Sequence, residues 1–275
     1  MVRYTNNTVT SVTRWTVDTS NVTDMSCAFQ DARALTSIDL SNFDTSAVTD
    51  MHYMFSVCPV LSSIDVTKFN TSNVTSMTGM FNGCSKLTAL DVSNFNTSKV
   101  TNMTSMFYSC SNLTALDASN FNTSKVTNMR SMFFHCNSLT SLDISNFDTS
   151  NVMDMGFMFS YCGKLTALDV SNFNTSKVTN MREMFSDCRK LTAIDLSNFN
   201  TSKVTKMVRM FGSCRNLASL NLSKFDMSNV TDTSGMFEYD AKLKTVYIDK
   251  EDEKLLAVLP GGVWTYTGGA YHLVT

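Results

Sequence analysis

Apolar and polar residues follow one fixed pattern along most of the chain. In residues 87–112, LTALDVSNFNTSKVTNMTSMFYSCSN, apolar side chains stand at Leu87, Leu90, Val92, Phe95, Val100, Met103, Met106, Phe107 and Cys110. The alternation through Leu90, Asp91, Val92 and Ser93 predicts a short strand with one buried face. Asn96, Thr97 and Ser98 carry side chains that bond nearby backbone, which predicts a turn. Residues 100–103 read as a second extended piece. Met103, Met106, Phe107 and Cys110 keep i, i+3, i+4, i+7 spacing, so residues 104–110 are expected to form one or two helical turns.

The same pattern returns at a constant step. Cys58, Cys84, Cys110, Cys136, Cys162, Cys188 and Cys214 are each 26 residues apart, as are the phenylalanines from Phe43 to Phe225. The phrase SNFNTSKVTNM recurs at residues 93–103, 119–129 and 171–181. Nine units fill residues 9–242 without insertion or deletion. Strict periodicity of this kind predicts a solenoid in which each unit is one coil stacked on its neighbours. One coil alone buries too few side chains to offset the entropy of ordering it, so stacking is obligatory. Phe95 and Phe121 should then be neighbours on one apolar spine.

Both ends break the pattern, as caps would. In the first unit Arg14, Trp15, Ala28 and Ala32 replace the usual residues, and in the last Thr233 and Asp240 stand where Met and Cys are expected. Leu243, Val246 and Ile248 repeat the strand template once more. Asp249 is a candidate cap for a short helix over residues 253–258. Beyond Pro260, Gly261 and Gly262, VWTYT and AYHLV read as a hairpin across Gly268 and Gly269. The division expected is a flank at 1–8, repeats at 9–242, and a C-terminal cap of strand, helix and hairpin at 243–275.

The unit LTALDVSNFNTSKVTNMTSMFYSC resembles the repeat of BspA-like leucine-rich-repeat surface proteins of bacteria, with Met-Phe-x-x-Cys as its distinctive element. The likeness covers roughly residues 9–248. It implies a right-handed leucine-rich-repeat solenoid of the α/β repeat class, with a short parallel strand and a short helical turn in each 26-residue coil and capped ends. It also implies display at the cell surface or secretion, and adhesion to host or neighbouring cells. Members of that group usually carry a signal segment and an anchor. The opening MVRYTNNTVT is not an apolar signal, and residues 259–262, LPGG, are not a sortase motif. Placement outside the cell therefore rests on the resemblance.

Composition narrows the partners. Charged residues make up 17% of the chain and the net charge is −2, so there is no electrostatic reason to expect nucleic acid. No run of eighteen apolar residues occurs, so no membrane insertion is expected in this segment. The regular cysteine column sits at an apolar position and holds seven members, which favours core thiols over disulfides. No CxxC or CxxH appears, and no metal or cofactor is expected. Methionine pairs such as Met77 with Met80 and Met181 with Met184 read as core.

Two columns carry candidate chemistry. Asp39, Asp65, Asp91, Asp117, Asp143, Asp169 and Asp195 form a polar ladder on the strand face, with Asn221 next in line. Carboxylates on adjacent strands repel by roughly 0.8–0.9 kcal/mol even at the dielectric of water. Hydrogen bonding to the flanking serines, or weak cation binding of the calcium type, would offset this. The strand face is otherwise monotonous. Variation is concentrated beside Met-Phe and after Cys, in slots holding His52, Tyr53, Tyr108, Arg130, Phe134, His135, Phe157, Tyr161, Arg182, Arg189, Lys190, Arg209, Arg215 and Tyr239. Aromatics with arginine are the residue types enriched at binding hot spots. Tyr53, Tyr108, Phe134, His135, Phe157, Tyr161, Arg182 and Arg209 are the candidate binding residues. Relaxed positions drifting over the core edge would give a similar list.

His52, His135 and His272 lie in different units or the tail, so no nucleophile–base pair is implied and an enzyme is not expected. The reading is a binding module for a protein or glycan partner outside the cell. The alternatives are a structural spacer or self-associating stalk and, a weaker idea, an ice- or mineral-binding surface, since the Asp, Ser and Thr ladders form regular polar arrays. The sequence sets no oligomeric state.

Overall fold

The computed structural model describes residues 8–13 and 17–274. Arg14 and Trp15 lie outside the described residues, as does most of the expected flank. The nine coils stack as parallel turns of one solenoid. Strand pairs are short: β1 (Ser11–Val12) with β2 (Ser37–Ile38), and β3 (Ala115–Asp117) with β4 (Ser141–Asp143), each pair parallel and in 26-residue register. A continuous row of single-residue parallel bridges runs along a second line from Asp24 through Asn102 and Asn128 to Asp232.

Stacking superimposes like side chains. Phe95 and Phe121 lie face to face with centroids 6.4 Å apart, and Phe121 and Phe147 repeat that spacing. A second ring column runs from Phe29 to Phe237, where Phe107 and Phe133 are 5.6 Å apart. The Leu, Val, Met and Cys columns fill the rest of the core, almost all fully buried. Parallel offset rings of this kind add to area burial at every junction.

The expected helical turns over residues 104–110 are absent. Amides of Met106, Tyr108 and Cys110 bond to carbonyls three residues back, forming overlapping tight turns. The amides between them, of Ser105, Phe107 and Ser109, leave the coil and donate to Arg130, Met132 and Phe134 on the next one. Ser105 and Ser109 have positive φ of 56° and 55°, which turns alternate amides toward the neighbour. Every described non-glycine residue with positive φ lies in these two columns, and Gly79, Gly83 and Gly235 share them. A helix would strand the acceptors of the next coil; the ladder satisfies both coils.

Polar side chains stitch the coils as well. Thr149 is buried; its hydroxyl donates to the Asn174 carbonyl at 3.0 Å and accepts the Asn174 amide at 2.8 Å, one coil on. Equivalent threonines from Thr19 to Thr201 are all buried. Asn120 Nδ2 reaches back to the carbonyls of Val92, Ser93 and Phe95.

None of the eight cysteines is in a disulfide. Cys110 Sγ donates to the Phe81 carbonyl at 3.2 Å, and the other column thiols repeat this contact. Burial pushes the Cys110 and Cys162 thiols up to about 12. Since the thiolate is the reactive form, maleimide labelling of native protein should leave the seven column cysteines unmodified. Only half-buried Cys27 is placed to react, whereas all eight label in denaturant. Mass spectrometry before and after unfolding checks this; rapid native labelling of several cysteines would refute it.

The chain closes the strand side of the last coil. β5 (Ser219–Asn221) pairs with β6 (Thr245–Tyr247), which pairs antiparallel with β8 (Ala270–Val274), and β8 with β7 (Val263–Thr267). Gly268 and Gly269, both at positive φ, make the two-residue turn. Helix α1 (Glu253–Leu256) is capped by Asp252, not Asp249: Asp252 Oδ1 accepts the Leu255 amide at 3.0 Å. The helix starts too late for Asp249 to reach it.

Candidate binding surface on the turn face

Coil four is residues 87–112, and coils five to nine follow at the same step. The overlapping turns expose only those side chains that do not enter the core, so the variable slots from successive coils form a surface strip. On coils four to seven the slots converge. Tyr108 stacks on Phe134 with centroids 4.7 Å apart and planes 15° from parallel. Phe134 meets Phe157 edge-on at 6.1 Å and Tyr161 at 5.5 Å, and His135 meets Tyr161 at 5.8 Å. The guanidinium of Arg130 lies 4.9 Å from the Phe157 centroid and that of Arg182 5.5 Å. Since the two arginines belong to the coils on either side, Phe157 is held between them by cation–π attraction.

Tyr108, Phe134, His135, Phe157, Tyr161 and Arg182 are thus contiguous, with Arg130 as a seventh member. Tyr53 and Arg209 are not part of the group. Tyr53 packs near His52 at 5.7 Å, and its ring lies over Gly79, where a Cβ would sit 2.2 Å from it. Arg209 is paired with Glu238 through Nε at 2.8 Å.

Beside the strip run two shallow hollows of about 240 and 260 Å³ that share Tyr161, Asp187 and Arg189. Asn137 borders the smaller one, and its buried Oδ1 has no hydrogen-bond partner among the described residues. Asn137 and Asp187 fall outside the candidate set, yet both occupy variable slots, the one after Cys and the one before it. Arg189 bonds Asp187 at 2.7 Å, so the hollow offers a fixed donor–acceptor pair next to an exposed tyrosine. His135 faces Ser109 Oγ at 3.5 Å and Asn137 Nδ2 at 3.3 Å, with no carboxylate on the ring among the described contacts.

The aspartate ladder is exposed and lies on another face. Each Oδ1 accepts the amide of the residue two further on: Asp39, Asp65, Asp91, Asp117, Asp169 and Asp195 at 2.9 Å and Asp143 at 3.0 Å. Each carboxylate therefore fixes the turn out of its own strand. The Ser93 hydroxyl and amide hold the Asp91 carboxyl below its usual range, and Ser119 does the same for Asp117. No cluster of three or more potential metal ligands occurs among the described residues.

The profile of the family described as "Mycoplasma protein of unknown function, DUF285" matches residues 1–89, 60–166 and 134–250. No curated protein matches the chain. Among solved structures, a leucine rich cell surface protein from Faecalibacterium prausnitzii A2-165 is similar at 17% identity, over 81% of this chain and 69% of that one, with a TM-score of 0.36. A leucine-rich repeat protein from Bacteroides ovatus ATCC 8483 is similar at 16% identity, over 83% and 76%, with a TM-score of 0.32. The functional domain of InlJ from Listeria monocytogenes, which includes a cysteine ladder, is similar at 17% identity over 84% and 69%, with a TM-score of 0.18.

Proposed function

The chain belongs to the DUF285 family of Mycoplasma proteins, and on that premise we propose that it is a non-enzymatic binding module, carried at the cell surface or secreted, that contacts a protein or glycan through the aromatic–arginine strip of coils four to seven. One observation carries this reading. Residues at positions that the repeat leaves free to vary come together as a single strip of stacked rings with two guanidiniums over Phe157. Mutual stacking immobilises these side chains before any partner arrives, which lowers the entropy lost on binding. Half-buried aromatics flanked by arginine have the composition of hot spots. The aspartate face, by contrast, spends its carboxylates on local turns. The resemblance of the repeat to BspA-like proteins supports placement outside the cell and a right-handed leucine-rich-repeat winding.

The test is capture on arrays of extracellular-matrix proteins and glycans, comparing wild type with Tyr108→Ala/Phe134→Ala. The double variant should lose about tenfold or more in affinity, with an unchanged circular dichroism spectrum. Capture at wild-type strength would move the site off this strip. No capture by wild type, together with concentration-dependent assembly in light scattering, would favour the spacer reading instead.

A further inference from the structure

Every inner junction of the solenoid is closed by the same backbone row. Between coils eight and nine the amides of Met207, Arg209, Phe211 and Ser213 donate to the carbonyls of Asp232, Ser234, Met236 and Glu238. In coil nine the corresponding donors are the amides of Thr233, Gly235, Phe237 and Tyr239, and none has an acceptor among the described residues. Their neighbours Met236, Glu238 and Asp240 bond within the coil, as in every other unit. The reason lies in the path of the chain. A tenth coil begins with β6 but is abandoned after Ile248, so the strand half of the edge is built and then covered by β8. Leu273 donates to the Lys244 carbonyl and Ile248 to that of Gly269. Among the described residues the turn half has no such cover. A cavity of about 670 Å³ runs beside it, with Gly235, Phe237, Tyr239 and Leu243 on one wall and Val258 and Leu259 on the other.

Unpaired, evenly spaced backbone donors at the edge of a ladder are a template for another chain. Peptides that add to such edges are held through the main chain, with side-chain pockets as a secondary contribution. We propose that this C-terminal slot binds a polypeptide segment that adopts the same run of overlapping turns, its alternate carbonyls accepting from Thr233, Gly235, Phe237 and Tyr239 and continuing the solenoid by half a coil. The register already used at the inner junctions defines the occupant's backbone. The apolar far wall, Val258 and Leu259, favours apolar over charged side chains on the side facing the cap. The slot lies at one end of the solenoid and is a different surface from the aromatic strip.

The probe is an acetylated, amidated peptide of residues 128–136 with Cys136→Ser, because its carbonyls fill this row between coils four and five. It is titrated into the full chain while backbone amide exchange is followed by NMR. In the unliganded protein the four amides should exchange fast, and saturating peptide should slow all four by about tenfold or more. Ala257→Arg, at an exposed position lining the slot, should weaken the peptide by about tenfold while leaving the melting temperature unchanged. Tyr108→Ala/Phe134→Ala should leave peptide binding intact, so failure here and failure of the strip can be told apart. The proposal is overturned by absence of saturable binding, by protection that omits the four amides, or by indifference to Ala257→Arg.

Discussion

Thr149→Val is expected to destabilise the protein by about 2–4 kcal/mol, although it exchanges side chains of nearly equal size. Valine fills the same space but can neither donate nor accept. The change leaves both the amide and the carbonyl of Asn174 without the hydroxyl that now joins them. An unsatisfied buried polar group costs about 1–3 kcal/mol; two partly buried ones are created at once, so the lower part of that range applies to each. Thr149→Ser keeps the hydroxyl and removes one methyl, so its cost should stay near 1 kcal/mol. The chain itself supplies a control. At the equivalent position of the last coil stands Met227, buried among apolar neighbours at a place where no further coil needs the hydroxyl. Because a solenoid's stability is a sum of units and nearest-neighbour interfaces, a breach in the sixth of nine coils should also separate the unfolding of the two halves. Urea denaturation of the three proteins decides it. Equal midpoints for wild type and Thr149→Val would show that water, not Thr149, satisfies these groups.

The columns that stack could be read from the sequence because superposition leaves a trace at a constant step. Phe95 and Phe121 differ by one coil and lie 6.4 Å apart. What periodicity within one coil does not reveal is where the amides go. Inward-facing Met103, Met106, Phe107 and Cys110 satisfy helical spacing, yet overlapping tight turns bury the same four side chains. The deciding bonds run to residues about one coil away, where a single-coil reading has no view. A signal was present: Gly79, Gly83 and Gly235 occupy the slots that need positive φ, and Ser or Asp fills several others. In the sequence alone Thr97 likewise reads as a local turn former. Its burial follows only from its constancy in the column and its replacement by Met227 at the end.

The aromatic strip divides in the same way. Residue type and slot mark Tyr108, Phe134 and Phe157 as a group, but the same criteria also gather Tyr53 and Arg209, which the structure places elsewhere. Membership depends on which ring the adjacent coil presents. Tyr53 has Gly79 beside it and folds down onto the backbone, whereas Tyr108 has Phe134 and stacks.

Stability should fall as pH rises from about 5 to 8, and Asp240 should be the cause. This residue takes the seat of the column thiol in the last coil, is buried, and has no hydrogen-bond partner on either carboxyl oxygen among the described residues. Burial raises its pKa from 3.8 to about 7; the nearby Cys214 amide, whose own bond goes to the Phe211 carbonyl, opposes this in part, and the Asp187 carboxylate adds to it. The sign follows from linkage. The native state keeps a proton that the unfolded chain has already lost, so the stabilisation is complete below pH 3.8 and disappears as pH climbs through about 7. The full swing is on the order of 4 kcal/mol at 1.36 kcal/mol per unit. Carboxyls such as Asp91 and Asp117 are held below their usual range and are ionised in both states across this window, so they contribute no slope there. Asp240→Asn removes the titration and should flatten the curve, leaving a protein more stable than wild type at pH 8. Asp240→Cys should do the same and restore the thiol column, with its proton directed, as in the other coils, toward a phenylalanine carbonyl of the preceding coil. Chemical denaturation of the three proteins at pH 5 and pH 8 measures the effect, and parallel pH dependence in wild type and Asp240→Asn would place the buried charge elsewhere.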